Sequence, residues 1–302
     1  MYPARFRYLR PSGIDETLDI LAELGSDARI LAGGASLIPQ LKYRQVSPAP
    51  ALLIDVGWLD ELRGTARENG DVVVGAMTRH ADAGADDVLG EAVPGARDAA
   101  LSIGDQQVRN MGTVGGGLVA VEPTGDWGPC LLAAGGYVRV SSRRGSREIA
   151  AGDLFDAPLS STLRPDELLT HVVFPVWPGR LGSAHAKLYI RAVTALGSCS
   201  VSLTVGDDDR ILHCRVGIGG LTSVPVDVPE VAQVMEGQEL SRDSIAAARS
   251  ALVSALDTYS DARTSAAHRS SIAGSLFTTA LRSAYARATG ADPASTNGGG
   301  SS

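Results

Sequence analysis

Apolar positions recur along this chain with two periods, and the alternation between them marks its elements. Ile14, Leu18, Leu21 and Leu24 follow helical spacing. Residues 14–24 are therefore expected to form an amphipathic helix, with Ser12 as N-cap and Gly25 as its stop. Short apolar runs at 29–32 and 52–55 read as strands, with a short helix at 36–42 between them. A strand is expected at 72–75, a short helix after His80, and an alanine-rich helix at 93–101. Residues 131–134 are apolar. Residues 138–141 alternate with period two and 147–150 return after the turn at 143–146, which predicts a hairpin. A strand at 168–174 ends at Pro175 and Pro178, and a boundary is expected near 175–182. Beyond it the pattern predicts strands at 186–191, 198–205 and 211–219, then helices at 230–236, 241–259 and 266–288. The stretch 291–302, ending in Gly-Gly-Gly-Ser-Ser, is expected to be a disordered tail.

Composition narrows the class. At 302 residues with 44% hydrophobic content, the chain can bury two or three cores. The net charge of −7, without basic blocks, argues against a nucleic-acid partner. No apolar run approaches the roughly 20 residues of a membrane span, and the first residues lack a signal-peptide core. Cys130, Cys199 and Cys214 form no C-x-x-C pair, so no iron–sulfur or structural zinc site is expected on this chain, and a cytoplasmic location is. Of the 27 basic residues, Lys42 and Lys187 alone are lysines.

The candidate chemistry lies in two glycine turns. Ala32-Gly33-Gly34-Ala35-Ser36 is followed by Leu37, and Gly112-Thr113-Val114-Gly115-Gly116-Gly117 by Glu122 and Asp126. Glycine lets a backbone approach a ligand closely, and consecutive outward N–H groups form an anion-binding nest. Two facing turns could hold a diphosphate from both sides. The G-x-G-x-x-G fingerprint, the Walker lysine, the G-x-S-x-G elbow and H-E-x-x-H are all missing. The five histidines do not cluster in sequence.

These motifs resemble the FAD-binding medium subunit of the molybdenum hydroxylases, the group of the carbon monoxide, nicotine, quinoline and xanthine dehydrogenase flavoprotein subunits. The resemblance rests on Ala32–Ser36 with Leu37, Pro39 and Lys42, on 74–80, on 108–116, and on Glu122-Pro123 and Asp126. It extends through 219–225 and His268-Arg269 over nearly the whole chain. Two positions depart from the pattern: Gly117 stands where the family has Asn, and Glu122 where it has Asp.

The resemblance implies an α+β fold. A two-part FAD-binding domain of the vanillyl-alcohol-oxidase/PCMH type (1–178, with subdomains of about 1–56 and 57–178) would precede a small C-terminal domain (179–290) of a three-stranded antiparallel sheet with helices. It implies non-covalent FAD. Ala32, Gly33, Gly34, Ala35, Ser36 and Leu37, with Gly112, Thr113, Val114, Gly115 and Gly116, would cradle the pyrophosphate. Asp126 would take sugar hydroxyls, because a carboxylate only accepts hydrogen bonds. Ile103 and Leu169 would pack on the cofactor, and Lys187 would lie near the flavin ring, where a cation raises its potential. No residue would attack an organic substrate. The implied partners are a large molybdenum-pterin subunit and a small iron–sulfur subunit, assembled as a dimer of heterotrimers that passes electrons to oxygen, NAD or a quinone-linked carrier. A self-contained FAD-dependent oxidase of the same superfamily is the alternative, and it would need a base or a flavin-linking side chain near the ring.

Overall fold

Three apolar clusters organise the computed structural model, which describes residues 2–191 and 194–291. The expected tail, apart from Ala291, lies outside the described residues. The first cluster is built on β1 (Arg7–Leu9), α1 (Ile14–Leu24), β2 (Ala28–Leu31), α2 (Leu37–Lys42) and β3 (Leu52–Asp55). The strands run parallel in the order β1-β3-β2. Leu18 and Leu21 of α1 pack with Leu52 and Ile54 of β3, and Leu59, Leu62, Met77 and Leu168 join from farther along the chain. The three-residue β1 was not expected, since Arg-Tyr-Leu carries no readable period. Ser12 is not the N-cap of α1; Gly13 is. The Ser12 N–H and hydroxyl both donate to the Glu16 carboxylate, at 2.6 and 2.7 Å, which takes the serine away from the helix end.

The second cluster follows in order: β4 (Thr65–Glu68), β5 (Asp71–Gly75), α3 (His80–Ala85), α4 (Asp87–Ala92), α5 (Pro94–Ser102), α6 (Gln106–Met111), α7 (Val114–Val119), α8 (Trp127–Ala134), β6 (Tyr137–Ser142), β7 (Gly145–Ala150), α9 (Ala151–Leu154), β8 (Phe155–Ala157), β9 (Ser160–Ser161) and β10 (Leu168–Phe174). Its antiparallel sheet has the order β4-β5-β10-β6-β7. β10 is central, and six of its seven residues are buried, as a strand covered on both faces must be. Ala96, Ala99, Val114, Leu118, Leu131 and Leu132 from α5, α7 and α8 complete the core against it. The short helix α6 was not expected, and α7 lies where a glycine turn was. Asp105 and Thr113 cap them, accepting from the N–H groups of Val108 and Gly116, and the caps offset the low helix propensity of glycine.

The third cluster is built on β11 (Arg180–Arg191), β12 (Thr194–Val205), β13 (Ile211–Gly219), β14 (Val226–Asp227), α10 (Pro229–Met235), α11 (Arg242–Ala255) and α12 (Ala266–Thr289). Three long antiparallel strands match the expectation, and the two-residue β14 adds a fourth to the sheet. β11 begins at Arg180, so the boundary shortens to 175–179. Helix α11 stops at Ala255 rather than running to 259. Phe277, Leu281 and Ala284 of α12 pack with Val201, Leu203 and Cys199 of β12.

α5 joins the third cluster to the second. Its Asp98 accepts both Arg287 terminal nitrogens of α12, at 2.6 and 3.0 Å, and the His185 N–H of β11 at 3.3 Å. The Gly95 N–H donates to the Ser183 hydroxyl at 2.9 Å. Among the described residues, no helix is long and apolar enough to cross a membrane.

Candidate cofactor site

The two glycine turns meet. The first leaves β2 and enters α2; the second lies between α6 and α7. A Cβ on Gly33 would sit 2.0 Å from the Met111 carbonyl oxygen and 2.8 Å from the Gly112 Cα. Only a residue without a side chain permits that approach. Gly34 has a φ of +71°, so both glycines of the first turn are required, one by space and one by conformation.

The two turns differ in where their donors go. In the second, Gly112 N–H bonds to Val108 O at 2.7 Å, Val114 N–H to Thr78 O at 3.0 Å, Gly115 N–H to Ala76 O at 2.9 Å and Gly117 N–H to Thr113 O at 2.9 Å. The Gly116 N–H reaches the Thr113 hydroxyl at 3.2 Å. In the first, no acceptor among the described residues meets the N–H groups of Gly33, Gly34, Ala35 or Ser36. Four consecutive unpaired donors pressed against a second chain segment suit a diphosphate or similar anion. Ser36 caps α2 without a side-chain hydrogen bond, so its hydroxyl stays available. Ala32 and Leu37, at the two ends of this turn, are half-buried.

The second turn is held from below. Thr113 pairs with Arg79 in an isolated bridge, and the Arg79 guanidinium donates to the Met111 carbonyl. The Ala76 N–H donates to Thr170 O on β10 at 2.8 Å, one residue from the predicted Leu169. Leu169 itself is buried in the core cluster that contains Ala76 and Val114. His80 lies under the turn: a Cβ on Gly112 would come within 2.5 Å of its Nε2, and its Nδ1 accepts from Trp127 Nε1 at 3.1 Å. Burial pushes the imidazole pKa down to about 4 against the pull of Asp126. His80 is therefore a neutral structural group.

A second constellation forms around Asp126. Its carboxylate, 3% exposed, accepts from Lys187 Nζ at 2.6 Å and pairs with His185 Nε2 at 3.0 Å. Burial alone would raise the carboxyl pKa; the bond from His185 and the charges of His185 and Lys187 outweigh it and hold it below the ordinary carboxylate range. Lys187 also donates to Ser102 O at 3.2 Å. That carbonyl precedes the predicted Ile103, which is half-buried against the second core. His185 Nδ1 meets the Ser200 hydroxyl at 2.7 Å. Hydroxyl, imidazole and carboxylate stand in line, yet Ser200 is 2% exposed and no substrate can reach it. The line orients Asp126.

The sequence-predicted residues thus gather in two places, Ala32–Leu37 against Gly112 and Asp126 with Lys187, and Ile103 borders the second. His185 went unrecognised because the strand was expected to begin one residue after it. A longer strand would have set His185 and Lys187, two apart, on one face. Gln40 also went unnoticed; its amide donates to the Glu122 carboxylate at 3.3 Å and ties α2 to the acidic loop. Among the described residues, no group of three His, Cys, Asp or Glu could hold a metal. Cys130, Cys199 and Cys214 are free and buried, and burial raises all three thiol pKa values, Cys214 to about 12.

An α+β unit with two facing glycine turns, followed by an antiparallel sheet with helices, has the architecture of an FAD-binding flavoprotein. The family comparisons agree. Residues 4–177 match the model described as FAD binding domain in molybdopterin dehydrogenase, and residues 191–284 match the CO dehydrogenase flavoprotein C-terminal domain. The chain belongs to this flavoprotein family of the molybdenum hydroxylases. It is 33% identical to the carbon monoxide dehydrogenase medium chain of Afipia carboxidovorans over 95% of this chain and 99% of that one. It is 34% identical to the glyceraldehyde dehydrogenase medium chain of Sulfolobus acidocaldarius over 89% and 94%. The crystal structure of the Cu,Mo-CO dehydrogenase in its cyanide-inactivated form contains a chain that superposes with a TM-score of 0.90 at 32% identity, covering 95% of this chain and 100% of that one. Both relatives are medium chains of larger enzymes, which does not favour a self-contained oxidase.

Proposed function

We propose that this chain carries electrons within a molybdenum hydroxylase, receiving them from iron–sulfur clusters on a small subunit and delivering them to an external acceptor. The large subunit would hold the molybdenum-pterin cofactor and oxidise the substrate. The observation that carries the assignment is the row of unpaired N–H groups at Gly33–Ser36, closed by Met111–Gly112. FAD, when bound, takes up electrons singly and gives them up in pairs.

The chain's own residues supply the holding. Ala32–Leu37 would present backbone donors and the Ser36 hydroxyl to the pyrophosphate. Gly112–Gly116, with every N–H but that of Thr113 engaged inside the chain, would set the shape of the opposite wall, and the Thr113 hydroxyl would fix Gly116. Asp126 would accept from sugar hydroxyls through lone pairs not taken by His185 and Lys187. Lys187 would place positive charge beside the flavin, and Ile103 and Leu169 would contribute apolar contact. Residues 1–178 would form the FAD-binding domain, with subdomains 1–56 and 57–178, and 179–290 the C-terminal domain. The complex would be a cytoplasmic dimer of heterotrimers. Relatives of nearly equal identity are named for carbon monoxide and glyceraldehyde, so substrate choice belongs to another subunit.

The test is to denature the purified chain and identify what it releases. A single FAD per chain is the expected result. Released FMN, or flavin that stays covalently attached, would overturn the assignment in favour of the self-contained oxidase. If the chain alone releases nothing, titration with FAD decides: saturable binding supports the cradle, and none removes it.

A further inference from the structure

Given the FAD cradle proposed above, we infer that Arg79 is a further cofactor-binding residue, the side chain that brings full positive charge to the diphosphate between the two turns. Backbone N–H groups aimed at an anion offer only partial charges. Lys187, the cation already assigned, is bound to Asp126 at 2.6 Å, and that cluster is separate from Ala32–Leu37. A guanidinium at the turns themselves would complete the neutralisation. Such a group forks to phosphate oxygens through two parallel N–H groups.

Arg79 reaches the place where the turns touch. Its Nη1 donates to the Met111 carbonyl, the oxygen that a Cβ on Gly33 would meet at 2.0 Å. One oxygen therefore lies against both the guanidinium and the first turn. Thr78 and His80, on either side of Arg79, are buried. The backbone at Arg79 is extended, with a φ of −68° and a ψ of 152°, and in an extended chain successive side chains leave on opposite sides. Arg79 accordingly points away from the core that takes its neighbours, and it ends half-buried. Among the described residues, no acceptor meets its Nε or Nη2.

The charges around Arg79 set it apart. Arg97, Arg139, Arg147 and Arg180 are also half-buried, and each holds a carboxylate, at 3.0, 2.7, 2.8 and 2.7 Å. Among the described residues, no carboxylate lies within ion-pair distance of Arg79; burial lowers its pKa, and the charge of Arg63 lowers it again against the pull of Asp82 and Asp55. Arg109 likewise has no carboxylate at that distance among the described residues, but its terminal nitrogens are spent on Ile103 O, Gly104 O and Gln106 Oε1, at 3.0, 3.3 and 3.1 Å. A shielded charge ordinarily has a counter-charge. Arg79 is left with that need and with two uncommitted nitrogens, beside the four uncommitted backbone donors of Gly33–Ser36. An anion with two phosphoryl groups answers both.

The test titrates the full chain, stripped of flavin, with FAD and follows the flavin fluorescence. Arg79→Gln keeps a donor for the Met111 carbonyl and loses the charge; Arg79→Lys keeps the charge. At low salt Arg79→Gln should bind FAD roughly tenfold or more weakly, the worth of a hydrogen bond to a charged group, and Arg79→Lys should recover most of that loss. Sodium chloride should bring the wild type toward Arg79→Gln as the charges are screened. The thermal midpoints of the three flavin-free chains should coincide. Inorganic diphosphate should compete with FAD in the wild type and roughly tenfold less well in Arg79→Gln. Wild-type affinity in Arg79→Gln overturns the inference, as does equal competition by diphosphate in the two chains. A lysine variant as weak as the glutamine variant also overturns it, and would leave Arg79 as a brace for the Met111 carbonyl only. A wild-type chain that binds no FAD would instead refute the cofactor reading on which the inference rests.

Discussion

The two glycine turns look alike in sequence and do opposite things. Among the described residues no acceptor meets four N–H groups of Ala32–Ser36, whereas in Gly112–Gly117 every N–H but that of Thr113 is engaged, with Val108, Ala76, Thr78 or Thr113 as the acceptor. On the proposed reading the first would receive charge. The second is a wall whose glycines exist so that it can press against Ala76 and His80. A glycine-rich motif can thus mark either a place where a ligand comes close or a place where the chain itself does, and the hydrogen-bond ledger of each N–H separates the two.

The largest expected effect comes from filling the gap between the turns. Gly33→Val places a Cβ within 2.0 Å of the Met111 oxygen, which the backbone cannot yield. Flavin content should fall to background, measured by absorbance after denaturation; full content would show that the turns are not the cradle. Lys187→Met is the control that leaves both turns intact. Removing one partner of a buried pair costs about 3–5 kcal/mol, and the thermal midpoint at pH 7 should drop accordingly. The pH dependence has a definite sign. Asp126 has a lowered folded-state pKa, so its stabilisation is complete above the unfolded value of about 3.9 and is lost as pH falls through the folded value. The gap between wild type and Lys187→Met should therefore narrow below about pH 4; a gap constant from pH 7 to pH 3 would deny Asp126 its ionised role.

Gly115→Ala comes next. Its Cβ would lie 2.7 Å from the Ala76 Cβ, and overpacking of this kind costs about 1–3 kcal/mol. Stability should fall first and flavin affinity only through it. The smallest pair sharpens the contrast most. Thr113 caps α7, so Thr113→Ala should cost about 1 kcal/mol in denaturant unfolding of the flavin-free chain. Ser36 makes no cap bond, so Ser36→Ala should leave that stability within about 0.5 kcal/mol while weakening FAD binding. Equal behaviour of the two variants would erase the distinction between receptor and wall.

Much of this was legible in the chain. The period-two run of Tyr137–Ser142 and the helical spacing of Ile14–Leu24 report burial on one face, which is a local property. Leu168–Phe174, apolar but for Thr170 and His171, reports burial on both faces. What stayed hidden depends on partners distant in sequence. β1 becomes a strand because β3 lies beside it, not because Arg-Tyr-Leu prefers to be one. α6 and α7 became visible only through their caps, Asp105 and Thr113. The two glycine turns were readable as motifs, but the fate of their N–H groups was not, since two of the acceptors, Ala76 O and Thr78 O, come from some 35–40 residues earlier in the chain. His185 was lost through a strand start placed too late, although Lys187, two residues on, was singled out.

The Asp126 cluster has a consequence in time. The carboxylate and its ammonium are 61 residues apart in the chain. At translation rates of about 5–20 residues per second, the growing chain carries Asp126 for roughly 3–12 s before Lys187 is made. Throughout that interval a group destined for the interior has no counter-charge, and the first half of the molecule must keep it in water. The ion pair that joins the two halves at this carboxylate therefore cannot form before Lys187 has been synthesised.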